Sequence, residues 1–278
     1  MIIWLASYPK SGNTWLRVLI SNIINSEKKD FDKPFNFLKQ IDGYPNEHQF
    51  RGMTIDYNDP AQLVPNWIRS QNYINLKKGI KIFKTHNMLG SFGEHKFTDS
   101  NNTIGVIYIV RDPRNVVSSI QSHYQLPDLN AAANFMLLKD NWISDAEYKG
   151  VMPSFISSWN LHYLSWKTFQ KNYLLIKYED LLKNKNYEVL KIYNYLKNFY
   201  NLNLSTEELG QIVKLSSFKN LQRKENEDGF EEGMQYKDKK VPFFRHGAWN
   251  DWKKELDKKI VNELEKEFSK EMKELGYL

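Results

Sequence analysis

The sequence predicts an α/β fold, a central parallel sheet with helices on both faces. Three observations carry it. Short, continuous apolar runs recur along the chain, as strands buried on both faces require. Segments with helical spacing follow these runs, so strand and helix alternate. No linker-like stretch divides the 278 residues, so one domain spanning 1–278 is expected.

The elements follow in order. "IIWLAS" (2–7) reads as the first strand, "YPKSGNTW" (8–15) as a loop, and "TWLRVLISNIIN" as the first helix. "IKIFKTH" (80–86) is a second strand. "TIGVIYIVRDP" (103–113) is a third, long and β-branched, stopping at Pro113, where proline is tolerated at a helix start. "RNVVSSIQSHY" (114–124) reads as the helix after it, and "YLLIKYED" (173–180) as a fourth strand. The tail from Leu256 to Tyr277 reads as one amphipathic helix. Residues 26–57, 87–102 and 224–243 lack a clear period and are expected to be loops that build or cover a site.

Composition excludes several classes. Lys and Arg total 39 against 33 Asp and Glu, a net charge of +6, which suits an anionic ligand without naming one. There is no cysteine, so disulfides, thiol nucleophiles and thiolate metal sites are excluded. "MIIWLASYPK" reads as a strand, not a signal peptide. No run approaches the ~20 apolar residues of a membrane span. A cytoplasmic protein is expected, with no nucleic-acid partner.

The chemistry is written into the loops. A nucleotide-binding loop usually reads G-x-x-x-x-G-K-[ST]. Here Lys10 precedes Gly12, and no glycine comes before it. A helix starting near Thr14 aims unpaired amides back at the loop and attracts an anion. Gly12 permits close backbone approach, Ser11 and Thr14 offer hydroxyls, and Lys10 adds charge. Arg111 stands at the carboxyl edge of the third strand, where α/β sheets bind ligands and where arginine grips phosphate in a bidentate manner. An ion pair with Asp112 is an equal reading of Arg111. Asp112 can also be read as the magnesium partner of a kinase, although an arginine at the strand end argues against a cation site. Lys84 and His86 should point the same way by strand alternation. His86 is a general-base candidate, although a histidine taken alone is more often simply a packed or surface residue. "FFRHGAWNDWK" (243–253) brings Arg245 and Gly247 into a second backbone approach to an anion.

Taken together, these segments resemble the cytosolic-type sulfotransferases, which use 3′-phosphoadenosine 5′-phosphosulfate (PAPS) as sulfuryl donor. The family's Y-P-K-S-G-T-T-W corresponds to "YPKSGNTW", with Asn13 the one departure. Its K-T-H, its R-(x)7-S and its Y-E-D are matched by "KTH", by Arg111 to Ser119 and by "YED" (178–180). Its S-F segment and its R-K-G-x-x-G-D-W-K appear as "SSF" (216–218) and "RHGAWNDWK". The order and spacing hold across almost the whole chain.

The resemblance implies a phosphate-loop nucleotide-kinase-like fold and a set of roles. Lys10, Ser11, Gly12, Asn13 and Thr14 hold the 5′-phosphosulfate. Trp15 and Phe218 sandwich the adenine, with Tyr178 at its edge. Arg111, Ser119, Arg245, His246 and Gly247 hold the 3′-phosphate. His86 is the catalytic base, Lys84 positions the transferring group, and Ser119 restrains Lys10. The product is 3′,5′-adenosine bisphosphate (PAP), and no metal is required. His246 stands where the family has a second basic residue and Asn250 where it has a glycine. The acceptor, a small molecule, natural product or glycan, and the oligomeric state do not transfer. An ATP-dependent phosphate-loop kinase and a non-catalytic polyanion-binding module are the alternatives.

Overall fold

A computed structural model describes residues 1–28, 33–144, 152–230, 232, 234–236, 239–241, 243–244 and 251–278, with 234–236 and 239–241 described by backbone alone. The described chain forms two compact units, one of residues 1–13, 42–178 and 252–278, the other of 14–41 and 179–251.

The first unit holds a five-stranded sheet. Its strands are β1 (Ile2–Ala6), β2 (Asp42–Gly43), β3 (Lys81–Thr85), β4 (Thr103–Val110) and β5 (Tyr173–Lys177). Their order is β2-β3-β1-β4-β5 and every pairing is parallel. All of β1 is fully buried, so both faces of the sheet's centre are covered, and the continuous apolar run follows from that. After β1 the chain passes to the edge strand β2, returns to β3 beside β1, then crosses to β4 and β5 on the other side. The carboxyl end of β1 is therefore the point where strand order reverses, the usual ligand crevice of an open α/β sheet.

The helices bear out the sequence pattern with shifts at their ends. Helix α1 (Asn13–Ile24) follows the loop directly. Helix α2 (Pro113–His123) starts at proline, and Asp112 caps it by accepting from the Arg114 amide at 3.0 Å. Asp112 also pairs with the Arg114 guanidinium, 2.7 Å from Nη2 and 3.0 Å from Nε. Arg114 goes on to Glu265 Oε1 at 2.5 Å and to the Tyr277 carbonyl at 2.7 Å. The ion-pair reading of Asp112 thus holds with Arg114, not Arg111, as the partner shown. Its carboxylate is a cap and a brace.

Four expectations are corrected. The strand read as 173–180 ends at Lys177, because Tyr178 opens helix α4 (Tyr178–Lys183); Glu179 and Asp180 sit in its first turn, where the helix dipole favours acid. The stretch 26–57 contains β2, paired to β3 through the backbone although Asp and Gly are poor strand formers. The stretch 224–243 is not all loop: it starts inside helix α5 (Phe218–Asp228) and continues into an antiparallel hairpin of Met234–Tyr236 and Lys239–Val241. The tail is two helices, α6 (Lys258–Glu267) and α7 (Ser269–Glu274), broken at Phe268, which is fully buried in the core. Helix α3 (Trp159–Lys167) packs its buried residues Trp159, His162, Tyr163 and Trp166 inside the first unit.

In the second unit the guanidinium of Arg17 is buried and bound to the Ile41 and Leu38 carbonyls at 3.1 and 3.3 Å and to Glu232 Oε1 at 2.5 Å. Glu225 accepts from the backbone amides of Phe243 and Phe244 at 2.5 and 2.9 Å. Among the described residues no helix is long and apolar enough to cross a membrane.

Asp112→Ala is expected to lower stability by about 1–3 kcal/mol in urea denaturation, because it removes the helix cap and one of the two carboxylates paired with the Arg114 guanidinium. Asp112→Asn retains the cap and should lose less.

Candidate active site

The loop after β1 takes its shape from two left-handed residues. Lys10 has φ 63° and Gly12 φ 100°. A side chain on Gly12 would meet Tyr178 Cδ2 at 2.5 Å, so position 12 requires glycine for both conformation and space. The Tyr178 ring beneath it also carries the Arg111 guanidinium, 4.4 Å from its centroid. Arg111 in turn donates from Nη1 to the Lys10 carbonyl at 3.2 Å. The strand ends of β4 and β5 thus brace the loop that follows β1.

Ser11 Oγ and Arg111 Nε are among the buried polar atoms here with no hydrogen-bond partner among the described residues. Buried polar groups are normally satisfied. An unpartnered donor beside a left-handed loop and the start of a helix suits an anionic ligand. Asn13 behaves differently from a loop ligand. Its Nδ2 donates back to the Leu5 carbonyl and to Ser7 Oγ, both at 3.1 Å, tying the helix start to β1; its Oδ1 has no described partner.

At the end of β3, one residue beyond the strand, His86 Nδ1 lies 2.8 Å from the Ser7 carbonyl oxygen and 3.3 Å from Ser7 Oγ. A carbonyl can only accept, so Nδ1 carries the proton and Nε2 keeps its lone pair. Burial holds the His86 imidazole well below the ordinary histidine value, and the Lys84 cation lowers it further; the Ser7 hydrogen bond acts in the opposite sense. A neutral ring with a basic Nε2 is the form a general base needs. Lys84 pairs in register with Leu5 of β1 and is half-buried, as is His86. Ser119, on the second turn of α2, is also half-buried. His123 ends the same helix, close enough to His86 to lower its pKa.

The other expected residues lie in the second unit. Thr14 Oγ1 donates to Glu232 Oε2 at 3.3 Å. Trp15 is buried, its Nε1 donating to the Ser216 carbonyl at 2.7 Å, with Lys185 Nζ 5.4 Å from its ring centroid. Phe218 opens α5 and is half-buried. Arg245, His246 and Gly247 lie outside the described residues, as does Asn250.

Three residues at the site have no signature in the sequence: Ser7, Tyr108 and His162. His162 is fully buried, its Nε2 3.0 Å from the His86 carbonyl and its Nδ1 2.8 Å from the Tyr108 hydroxyl. The one available hint was a histidine on the apolar face of "SWNLHYLSW".

Comparison with known proteins identifies the class. Residues 2–276 match the Sulfotransferase domain family, and the chain belongs to it. It is 25% identical over 276 residues to Sulfotransferase 2A6 of Rattus norvegicus, covering 96% of this chain and 83% of that protein. It is 26% identical over 274 residues to luciferin sulfotransferase of Photinus pyralis, covering 93% of this chain and 68% of that protein. Among solved structures, retinol dehydratase in complex with androsterone and the inactive cofactor PAP shares the fold at TM-score 0.63 and 19% identity, over 98% of this chain and 80% of that one. The chain is a sulfotransferase by family, the class its motifs implied.

Burial pushes His162 down to about 3, opposed by its bond to the His86 carbonyl, and His86 is lowered as well. Both folded-state values lie below the unfolded value near 6.5. As pH falls, the unfolded chain takes up these protons first. The contribution of this pair is therefore complete above about pH 6.5 and is lost progressively towards about pH 3. Urea midpoints should drop between pH 7 and pH 5; unchanged midpoints would contradict neutral, buried histidines.

Proposed function

We propose that the enzyme transfers a sulfuryl group from PAPS to a hydroxyl or amine of a small-molecule, natural-product or glycan acceptor, with His86 as general base. The observation that carries the reading is the hydrogen bond from His86 Nδ1 to the Ser7 carbonyl, which leaves Nε2 as a base at the strand edge where the anion loop lies. The donor assignment follows the family and the PAP in the retinol dehydratase complex. The chain suits such a donor on its own terms, through the unpartnered Ser11 Oγ and Arg111 Nε and the left-handed turn at Lys10 and Gly12.

Lys10, Ser11, Gly12, Asn13 and Thr14 hold the 5′-phosphosulfate in this reading, with Asn13 acting through its tether to β1. Trp15, Phe218 and Tyr178 take the adenine, and Arg111, Ser119, Arg245, His246 and Gly247 the 3′-phosphate; these roles rest on the resemblance. Bound PAPS supplies an activated sulfuryl group whose departure leaves negative charge on phosphate. Lys10 and the first amides of α1 stabilise that charge. His86 accepts the acceptor's proton at Nε2, and Lys84 keeps the ring neutral and helps position the transferring group. Residues 1–278 act as one catalytic domain in this reading, and the cytoplasm is the compartment that goes with the cytosolic-type resemblance.

Calorimetry with PAP should show tight binding, and absence of binding would sink the proposal. Labelled PAPS tested against pools of phenols, alcohols, amines and glycans should identify the acceptor. His86→Ala should lower kcat by about 10²–10⁴-fold, and Lys10→Ala should reduce it strongly. If His86→Ala keeps its rate, His123 is the next base to test. Turnover should survive EDTA; loss of turnover with EDTA, together with ATP use, would favour a kinase.

A further inference from the structure

We propose that His162 is a positioning residue for the base, acting with Tyr108 through the backbone carbonyl of His86. The proposal rests on the reading of His86 as the base.

One face of α3 grips the segment that carries His86. Residues 162, 165 and 166 are neighbours on the helix surface. His162 Nε2 lies 3.0 Å from the His86 carbonyl, and Trp166 Nε1 donates to the Asn87 carbonyl at 2.9 Å. Ser165 Oγ accepts from the Leu89 amide at 3.0 Å. Of these, the bond from His162 is the one made to the base's own backbone.

Its direction is determined. The His86 carbonyl accepts, so His162 carries its proton on Nε2. Its Nδ1 then accepts from the Tyr108 hydroxyl at 2.8 Å. The Tyr8 backbone acts on the Tyr108 hydroxyl in the sense that lowers its pKa. The amide of Tyr8 and the carbonyl of Ser7 belong to one peptide unit, and that carbonyl accepts from His86 Nδ1 at 2.8 Å. The observed bonds run in one chain: Tyr108 hydroxyl to His162, His162 to the His86 carbonyl, and the His86 ring to the Ser7 carbonyl. Each bond polarises the next in a buried setting. His86 is held at both ends, ring and main chain, and His162 supplies the second hold without reaching the acceptor, because it is fully buried.

An ordinary core histidine would have the same burial without controlling the state of His86. Nitrogen spectra of the full chain labelled at histidine separate the two. In the wild type, His86 should appear as the neutral Nδ1–H tautomer and His162 as Nε2–H. The charged or titratable groups acting on His86 are Lys84, His123 and His162, so the titrations are read with Lys84 and His123 intact. His162→Leu should give His86 mixed tautomers in place of the single Nδ1–H form. It should cost about 10–100-fold in kcat with the acceptor found by the donor screen, leaving the PAP dissociation constant unchanged. His162→Gln, which keeps an N–H at the Nε2 position, should restore the tautomer and most of the rate. Tyr108→Phe removes one hydroxyl and should shift the same signals partway; with His162→Gln it decides the matter if His162→Leu fails to fold. Wild-type spectra and kcat in folded His162→Leu, or in Tyr108→Phe and His162→Gln alike, overturn the proposal. Expected spectra in a protein that neither binds PAP nor transfers sulfuryl overturn the base assignment of His86 instead.

Discussion

The hydrogen bond from His86 Nδ1 to the Ser7 carbonyl is the contact on which the site depends. It joins the ends of two adjacent parallel strands, β1 and β3, just where each leaves the sheet. It determines which nitrogen carries the proton, and so which one can take another. It also needs the chain after β1 to leave the sheet at a fixed angle. That angle is set by the left-handed residues Lys10 and Gly12 and by the Asn13 amide returning to Leu5 and Ser7.

The sheet makes this arrangement cheap to hold. β1 is buried on both faces, and parallel neighbours pair it on each side, so the strand ends cannot wander. Side chains just past the ends of β4 and β5 then reach across: Arg111 binds the Lys10 carbonyl and lies on the Tyr178 ring, which fills the space a side chain at position 12 would need. Cationic groups gather at this edge, yet the histidine among them stays neutral. Burial and Lys84 act in the same sense on it, and both outweigh the opposing backbone bond. A charge-rich site with one uncharged base is the electrostatic result.

Much of this was readable in the sequence. The apolar runs marked β1, β3, β4 and β5, since a strand covered on both faces has no polar alternation to hide it. "YPKSGNTW" marked a candidate anion loop, because its glycine, hydroxyls and early lysine each suit an anion. β2 was not readable: Asp42 and Gly43 have no strand preference, and only backbone pairing with β3, some forty residues away in sequence, makes them a strand. The hairpin within 224–243 and the break at Phe268 escaped for related reasons, as charged or amphipathic patterns do not show where the backbone turns.

The sequence by itself determined the class of fold and singled out the candidate anion loop and the candidate base, because each is encoded over a few consecutive residues. Tertiary structure decided what those residues do to one another. Asp112 is shown capping its helix and bracing Arg114. Tyr178 supports Gly12 and Arg111 from the far side of the sheet edge. The tautomer of His86 depends on Ser7, and its carbonyl on His162, partners separated from it by 79 and 76 residues. A proton's place on an imidazole is set by which group faces each nitrogen, and that is known only once the chain has folded.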